Sequence, residues 1–338
     1  MSTDSGGKPT ASLWVRLIGR QRRSWIILGI ALLLILAPLV AAYLDGLIDD
    51  LLSQGRWRLV LSPAAVIIYI LAVAPIVERA EAGVIDAFRP LVRIDDDSFD
   101  RLVAEASHRN PIGEGIAVSL GAVFGLWLGQ SWLSDTDAFW LKLVLIPWTG
   151  LMFGLLAWTI YSAVAGTRLN AELHDQPLRI DIFDTKPFRP VGRQSLIIAL
   201  VFVGGIVLSM VFSLGEESIL DWRNWFIYSL LALVPVLVFF LNMRPTHRVL
   251  AAEKERELAA AQGNILRACR TLMARIDAEE STGTLGAEIN ALVAYEKRLQ
   301  ATSTWPYDTA MLRTLFFSVV FPAIAALARI IGELLMLN

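Results

Sequence analysis

Six long stretches free of charged residues and histidine set the plan of this chain: 25–44, 59–77, 116–133, 143–165, 195–214 and 225–243. A bilayer core about 30 Å thick is crossed by roughly 20 residues of helix, so each stretch predicts a transmembrane helix. A seventh stretch, 315–337, is long enough but holds Arg329 and Glu333. Four apart on a helix, those two can pair within a span. The competing expectation is a helix lying in the interface with its charges in water.

Between the stretches the pattern changes. In 246–302, Leu258, Ile265, Leu266, Cys269, Leu272, Met273 and Ile276 recur at helical spacing. Thr282-Gly283-Thr284 interrupts them, and Ile289, Leu292, Val293 and Leu299 resume, with Glu296 breaking the stripe. Two antiparallel amphipathic helices follow from this: a short coiled-coil hairpin with too few heptads for a long coiled coil. Loop 78–114 predicts two short helices around Pro90. The three prolines of 177–193 predict an extended segment held near the membrane.

Two of these connections share a motif. Pro90-Leu91-Val92-Arg93-Ile94-Asp95 precedes Phe99-Asp100, and Pro177-Leu178-Arg179-Ile180-Asp181 precedes Phe183-Asp184. A third, Tyr307-Asp308-Thr309 followed by Leu312-Arg313, echoes Phe183-Asp184-Thr185 followed by Phe188-Arg189. Each would belong to a unit of descending span, connection and ascending span. Chance similarity among short segments is the rival reading.

Composition supports the membrane class. Of 338 residues 55% are hydrophobic and 18% charged, and the mean hydropathy is +0.56, unlike a water-soluble globule of this size. The net charge of -2 conceals a sorting of signs. Lys8, Arg16, Arg20, Arg22 and Arg23 precede the first stretch. Placing that tail in the cytoplasm puts twenty-five basic residues in it and in loops 78–114, 166–194 and 244–314. The opposite loops hold Arg56, Arg58, Lys142 and Arg223. Cytoplasmic loops carry the excess of Lys and Arg, so the N-terminus is expected inside. Trp57, Trp132, Trp140, Trp222 and Trp225 sit at the other ends of the spans and read as an interfacial belt. Arginine outnumbers lysine 25 to 5 among the 30 basic residues, which points to a GC-rich bacterial genome and thus to a bacterial inner membrane.

The expected architecture is therefore an all-α membrane protein, a polytopic bundle of 6–7 transmembrane helices with a cytoplasmic amphipathic hairpin. Its parts are a tail at 1–24, a six-span domain at 25–243, the hairpin region at 244–314 and a seventh span or interfacial helix at 315–338. The first stretch is too long for a leader core and reads as a retained anchor.

Candidate chemistry is sparse. Asp95, Asp96, Asp97 and Asp100 have the hard oxygens a divalent cation takes, but they directly precede a helical stretch, where they would cap amides and offset the dipole. His108, His174 and His247 stand in separate loops, and Cys269 is the sole cysteine, so no metal centre is expected. No cofactor fingerprint or nucleophile motif is present, and the cytoplasmic arginines are interleaved with acids, against nucleic-acid binding. The most specific intramembrane pattern is Gly121, Gly125 and Gly129, backed by Gly150 and Gly154. Four-residue spacing puts such glycines on one face, where helices pack closely within a subunit or between subunits. Charge-free spans argue against an ion-coupled carrier. Two expectations result. The first is a non-enzymatic interaction, scaffold or sensory protein that meets a protein partner through 246–302. The second is an oligomeric, uncoupled pore packed through the third-span glycines.

Overall fold

The computed structural model describes residues 23–53, 56–107, 110–134, 138–178, 180–213, 222–305, 309–318 and 320. All regular structure among them is helical. Helix α1 is Arg23–Leu44, α2 Ile48–Ser53, α3 Trp57–Phe88, α4 Asp96–Ala106, α5 Pro111–Ser134 and α6 Phe139–His174. A 3-10 turn at Lys186–Phe188 leads into α7, Arg189–Ser213; α8 is Trp222–Asp277 and α9 Leu285–Ala301. Residues 309–318 are helical as well.

Among the described residues four helical segments are long and apolar enough to cross a membrane: Trp57–Phe88, the segment ending at Gly129 that includes α5, Phe139–His174 and Lys186–Phe212. The apolar part of α1, Leu28–Leu44, is shorter. The stretch 225–243 forms the first half of α8, and most of 315–337 falls outside the described residues. Large apolar side chains point outward along these helices; Leu120, Val123 and Trp127 of α5 are each about two-thirds exposed. A surface of that kind is stable against lipid and a liability against water.

The helices overshoot the apolar stretches that predict them. α3 runs from Trp57 past Val77 to Phe88, so the helix expected before Pro90 is the end of a long one. α6 continues past Ala165 to His174. Within 177–193, expected to be extended, helical structure begins at Lys186, because Pro187 and Pro190 stand in the first turns of the 3-10 segment and α7, where a missing N–H costs nothing. Longest is α8, 56 residues and so about 84 Å of unbroken helix. Pro235 and Pro245 lie inside it, each removing one backbone bond without ending the helix.

Packing places α5 on α6, α3 on α7, and α7 on α8, while α1 lies against α3 and α6. Leu34 of α1, Ile67 and Leu71 of α3, and Leu155 of α6 share one core. Ile198 and Phe202 of α7 meet Val238 of α8 in another. Beyond the apolar stretch α8 is joined by α9, and the two form an antiparallel hairpin.

Candidate functional site

At the arginine-rich end of the bundle the two similar connections meet. Val92 and Leu178 form an antiparallel bridge, and the Arg93 amide donates to the Pro177 carbonyl at 3.0 Å. The two motifs thus meet at Val92 and Leu178, running in opposite directions there. Their aspartates then start the next turns. Asp95 accepts from the Ser98 amide at 3.0 Å, Asp181 from the Phe183 amide at 2.9 Å and Asp184 from the Lys186 amide at 3.2 Å. Those bonds from Ser98 hold the Asp95 carboxyl below its ordinary pKa. Beneath this strap Phe88, Phe99, Leu173, Phe188, Val191 and Leu250 close an apolar core drawn from six segments.

Above that core runs a buried polar layer. Asn170 donates through Nδ2 to Gln194 Oε1 at 3.3 Å, tying α6 to α7. His174, one turn on, bonds the Asn170 carbonyl through Nδ1 and Thr246 Oγ1 through Nε2, the latter at 2.7 Å. A carbonyl only accepts, so Nδ1 carries the proton and the Thr246 hydroxyl donates to Nε2. The imidazole is pinned edge-on to Phe88, with ring centres 4.8 Å apart. Ser195 returns its hydroxyl to Val191 O at 2.8 Å. Asn242 lies one turn before Thr246 on the same face of α8, is 1% exposed, and has no partner among the described residues for either side-chain polar atom.

The base of the hairpin is fastened by its own side chains and by those of the second connection. Lys254 donates to the carbonyls of Gln300 and Thr302, at 2.7 and 2.8 Å, where α9 ends and its carbonyls need donors. His247 stacks on Trp305 at 3.9 Å and 4°. Ile182, from the second connection, is buried between Ala261 of α8 and Leu299 of α9. Phe183 beside it lies under the Arg298 guanidinium at 4.7 Å and edges Tyr295 at 5.6 Å. Glu296, which breaks the apolar stripe, accepts from Gln262 across the hairpin at 2.9 Å. Two residues turn the chain with positive φ, Glu279 and Gly283.

The glycines lie elsewhere, in the contact between α5 and α6. A Cβ on Gly121 would stand 2.5 Å from Phe153 O, and one on Gly125 would enter the Phe153 side chain. From the other helix, Gly154 faces Val118 O at 3.1 Å, while Gly150 has an ordinary 3.8 Å to Leu126. Gly129 is buried on α5. The glycine face of this chain is therefore filled by its own α6.

Of the acidic run, Asp95 caps α4, and Asp96 and Asp100 pair with Arg89. His174 and His247 come to one junction without facing each other across a common centre; His108 lies outside the described residues. Cys269 is a half-buried free thiol on α8. No family model, curated protein or solved structure matches this chain. Its reading therefore rests on the geometry. Asn170, Gln194, Asn242 and Thr246 are the residues that sequence reasoning passed over. Their only signal is polarity at four-residue spacing, Asn170 with His174 and Asn242 with Thr246, at the ends of apolar stretches.

Proposed function

We propose that this chain is a non-enzymatic, multi-pass protein of a bacterial inner membrane. It has six or seven spans, its N-terminus lies in the cytoplasm, and its cytoplasmic hairpin acts as an interaction or sensory arm for a protein partner. The observation that carries the reading is α8: one helix passes from the apolar stretch 225–243 to the hairpin tip, and the strap and His174 grip it where it leaves the bundle. A rigid rod clamped at its base moves with the bundle, so a change in helix packing reaches the tip as displacement. The buried polar groups favour this mechanical role. His174 spends both ring nitrogens on a carbonyl and a threonine, and Ser195 spends its hydroxyl on its own helix. An oligomeric pore packed through Gly121 and Gly125 loses its support, because Phe153 and Ala157 occupy that face.

Two measurements test the reading. The only cysteine lies on the hairpin, so a membrane-impermeant maleimide is expected to label Cys269 in inside-out vesicles and not in right-side-out ones. Cross-linking in membranes, with the full chain against a deletion of 246–302, is expected to lose a reproducible set of neighbours. An identical set in both would overturn the proposal.

A further inference from the structure

Helix α8 carries two apolar rows along the hairpin. Leu258, Ala261, Ile265, Ala268 and Leu272 are buried or half-buried, and Leu258 and Ala261 pack with Leu299 of α9. Gln262, Leu266, Cys269, Met273 and Ile276 repeat the same alternating steps of three and four, yet Leu266, Met273 and Ile276 are more than half exposed. At about 100° per residue the second row lies about 80° round the helix from the first. On α9, Gly286, Ile289, Val293 and Glu296 form a row of the same kind. The bond from Gln262 to Glu296 at 2.9 Å joins these two rows edge to edge, while the bond from Tyr295 to Glu257 at 3.2 Å marks the other side of the hairpin. From Gln262 and Glu296 to the tip both rows are uncharged, so the hairpin presents one apolar face two helices wide.

In a square four-helix bundle each helix touches two neighbours about 90° apart, and α8 has one row for its own α9 and a second beside it. A face two helices wide with steps of three and four is matched by another of the same make. A second copy brings one: anchored in the same membrane, its hairpin points the same way and reaches the same height. This step rests on the reading of the hairpin as a cytoplasmic interaction arm. A two-fold axis along the rods then sets α8 of one copy against α9 of the other, antiparallel and at unchanged heights. Counted from Gln262 beside Glu296, Leu266 comes between Val293 and Ile289 of the second copy, and Met273 beside its Gly286, where a Cβ meets nothing within 4 Å in its own chain. The face is about 22 Å long and about 20 Å wide, so two copies cover roughly 900 Å², close to the ~1,000 Å² of a specific interface. Confinement to one membrane raises the effective concentration further.

We propose that the hairpin docks on the hairpin of a second copy of this chain, closing an antiparallel four-helix bundle in the cytoplasm. The test uses the full-length protein in native membranes in a Cys269→Ser background. Copies carrying Met273→Cys bear one tag and copies carrying Gly286→Cys another; both positions are exposed, so neither change disturbs the hairpin itself. Mild oxidation is expected to give a mixed-tag disulfide. Its yield is expected to be at least about tenfold that of Asn264→Cys with Ala291→Cys, which lie about half a turn away on the far face. Leu266→Glu puts a carboxylate into the covered face and is expected to lower the yield roughly tenfold. With Cys269 intact, the same substitution is expected to quicken maleimide labelling of that thiol in inside-out vesicles. Equal yields from the two pairs, or a yield unchanged by Leu266→Glu, overturns the proposal; should Leu266→Glu fail to accumulate in the membrane, the comparison of the two pairs decides. Neighbours that depend on 246–302 without any mixed-tag disulfide sink the second copy alone, whereas neighbours indifferent to that deletion sink the interaction arm itself.

Discussion

The bond between Thr246 and His174 is the most direct link between α6 and the helix that becomes the hairpin, and a double-mutant cycle measures it. Thr246 is fully buried and His174 is 4% exposed, so water cannot replace either partner. Thr246→Val keeps the shape and removes the hydroxyl, stranding Nε2 in an apolar setting at a cost of about 1–3 kcal/mol. His174→Phe removes the acceptor. The freed hydroxyl of Thr246 can turn to a carbonyl of its own helix, and Asn170 O still has its helical amide, so the cost comes mainly from packing. In the double variant no polar atom of the pair is left over. Its cost is expected to fall below the sum of the singles by about 1 kcal/mol. Reversible unfolding in mixed detergent micelles, followed by far-UV circular dichroism, reads all four corners of the cycle. Single costs that add to within about 0.3 kcal/mol would show that the two side chains do not share a bond.

Gly125→Leu forces a side chain into Phe153 and is expected to destabilise the α5–α6 pair by about 1–3 kcal/mol. Gly115→Leu, whose Cβ meets nothing, is expected to stay within about 0.5 kcal/mol of wild type in the same assay. At the hairpin tip, Glu279 holds a left-handed φ of 53° where α8 ends, so Glu279→Gly is expected to gain about 1 kcal/mol. Gly283→Ala, at φ 52°, is expected to lose a similar amount, about 1 kcal/mol, and hydrogen exchange of α9 reports both. The cap on α4 predicts a pH effect. The folded pKa of Asp95 is depressed, so its contribution is present above the unfolded carboxylate range and is lost as pH falls through the folded value. The protection factor of the Ser98 amide, measured against its intrinsic exchange rate at each pH, is expected to fall under acid in wild type and to be low at every pH in Asp95→Ala. A protected Ser98 amide in that variant would refute the cap.

What could be read from residue types alone follows how local the cause is. The helical class was legible because period and charge act over single turns, and the hairpin because Gly283 marks a break that any chain would use. The mate of Gly283, Glu279, was not legible, since a glutamate in the left-handed region is held there by the amide of Glu280 reaching back to Arg275 O and not by its own preference. The length of α8 was hidden for the same kind of reason. Arg244, Pro245 and His247 resemble a boundary, and only Thr246 bound to His174 and Trp305 stacked on His247 make it cheaper to continue the helix than to end it.

The polar layer was the least visible of all, because its members are ordinary until they meet. Asn170 alone is a helix-end residue, Gln194 an early residue of α7 and Thr246 a weak helix former; burial together gives each a use. That also explains why the shared motifs matter although they hold no reactive group. Their antiparallel bridge at Val92 and Leu178 brings the ends of α3 and α6 to one level, which brings Phe88 against His174 and leaves one imidazole to choose which turn of α8 it holds. A hydrogen bond to a single hydroxyl specifies register more sharply than apolar contact can, since a slip of one turn would exchange Thr246 for Asn242 or Leu250 on that face. The amide of Asn242, without a partner among the described residues, stands one turn from the bond that is made, so the same face of α8 carries a second polar group that His174 could reach only if the rod shifted along its axis.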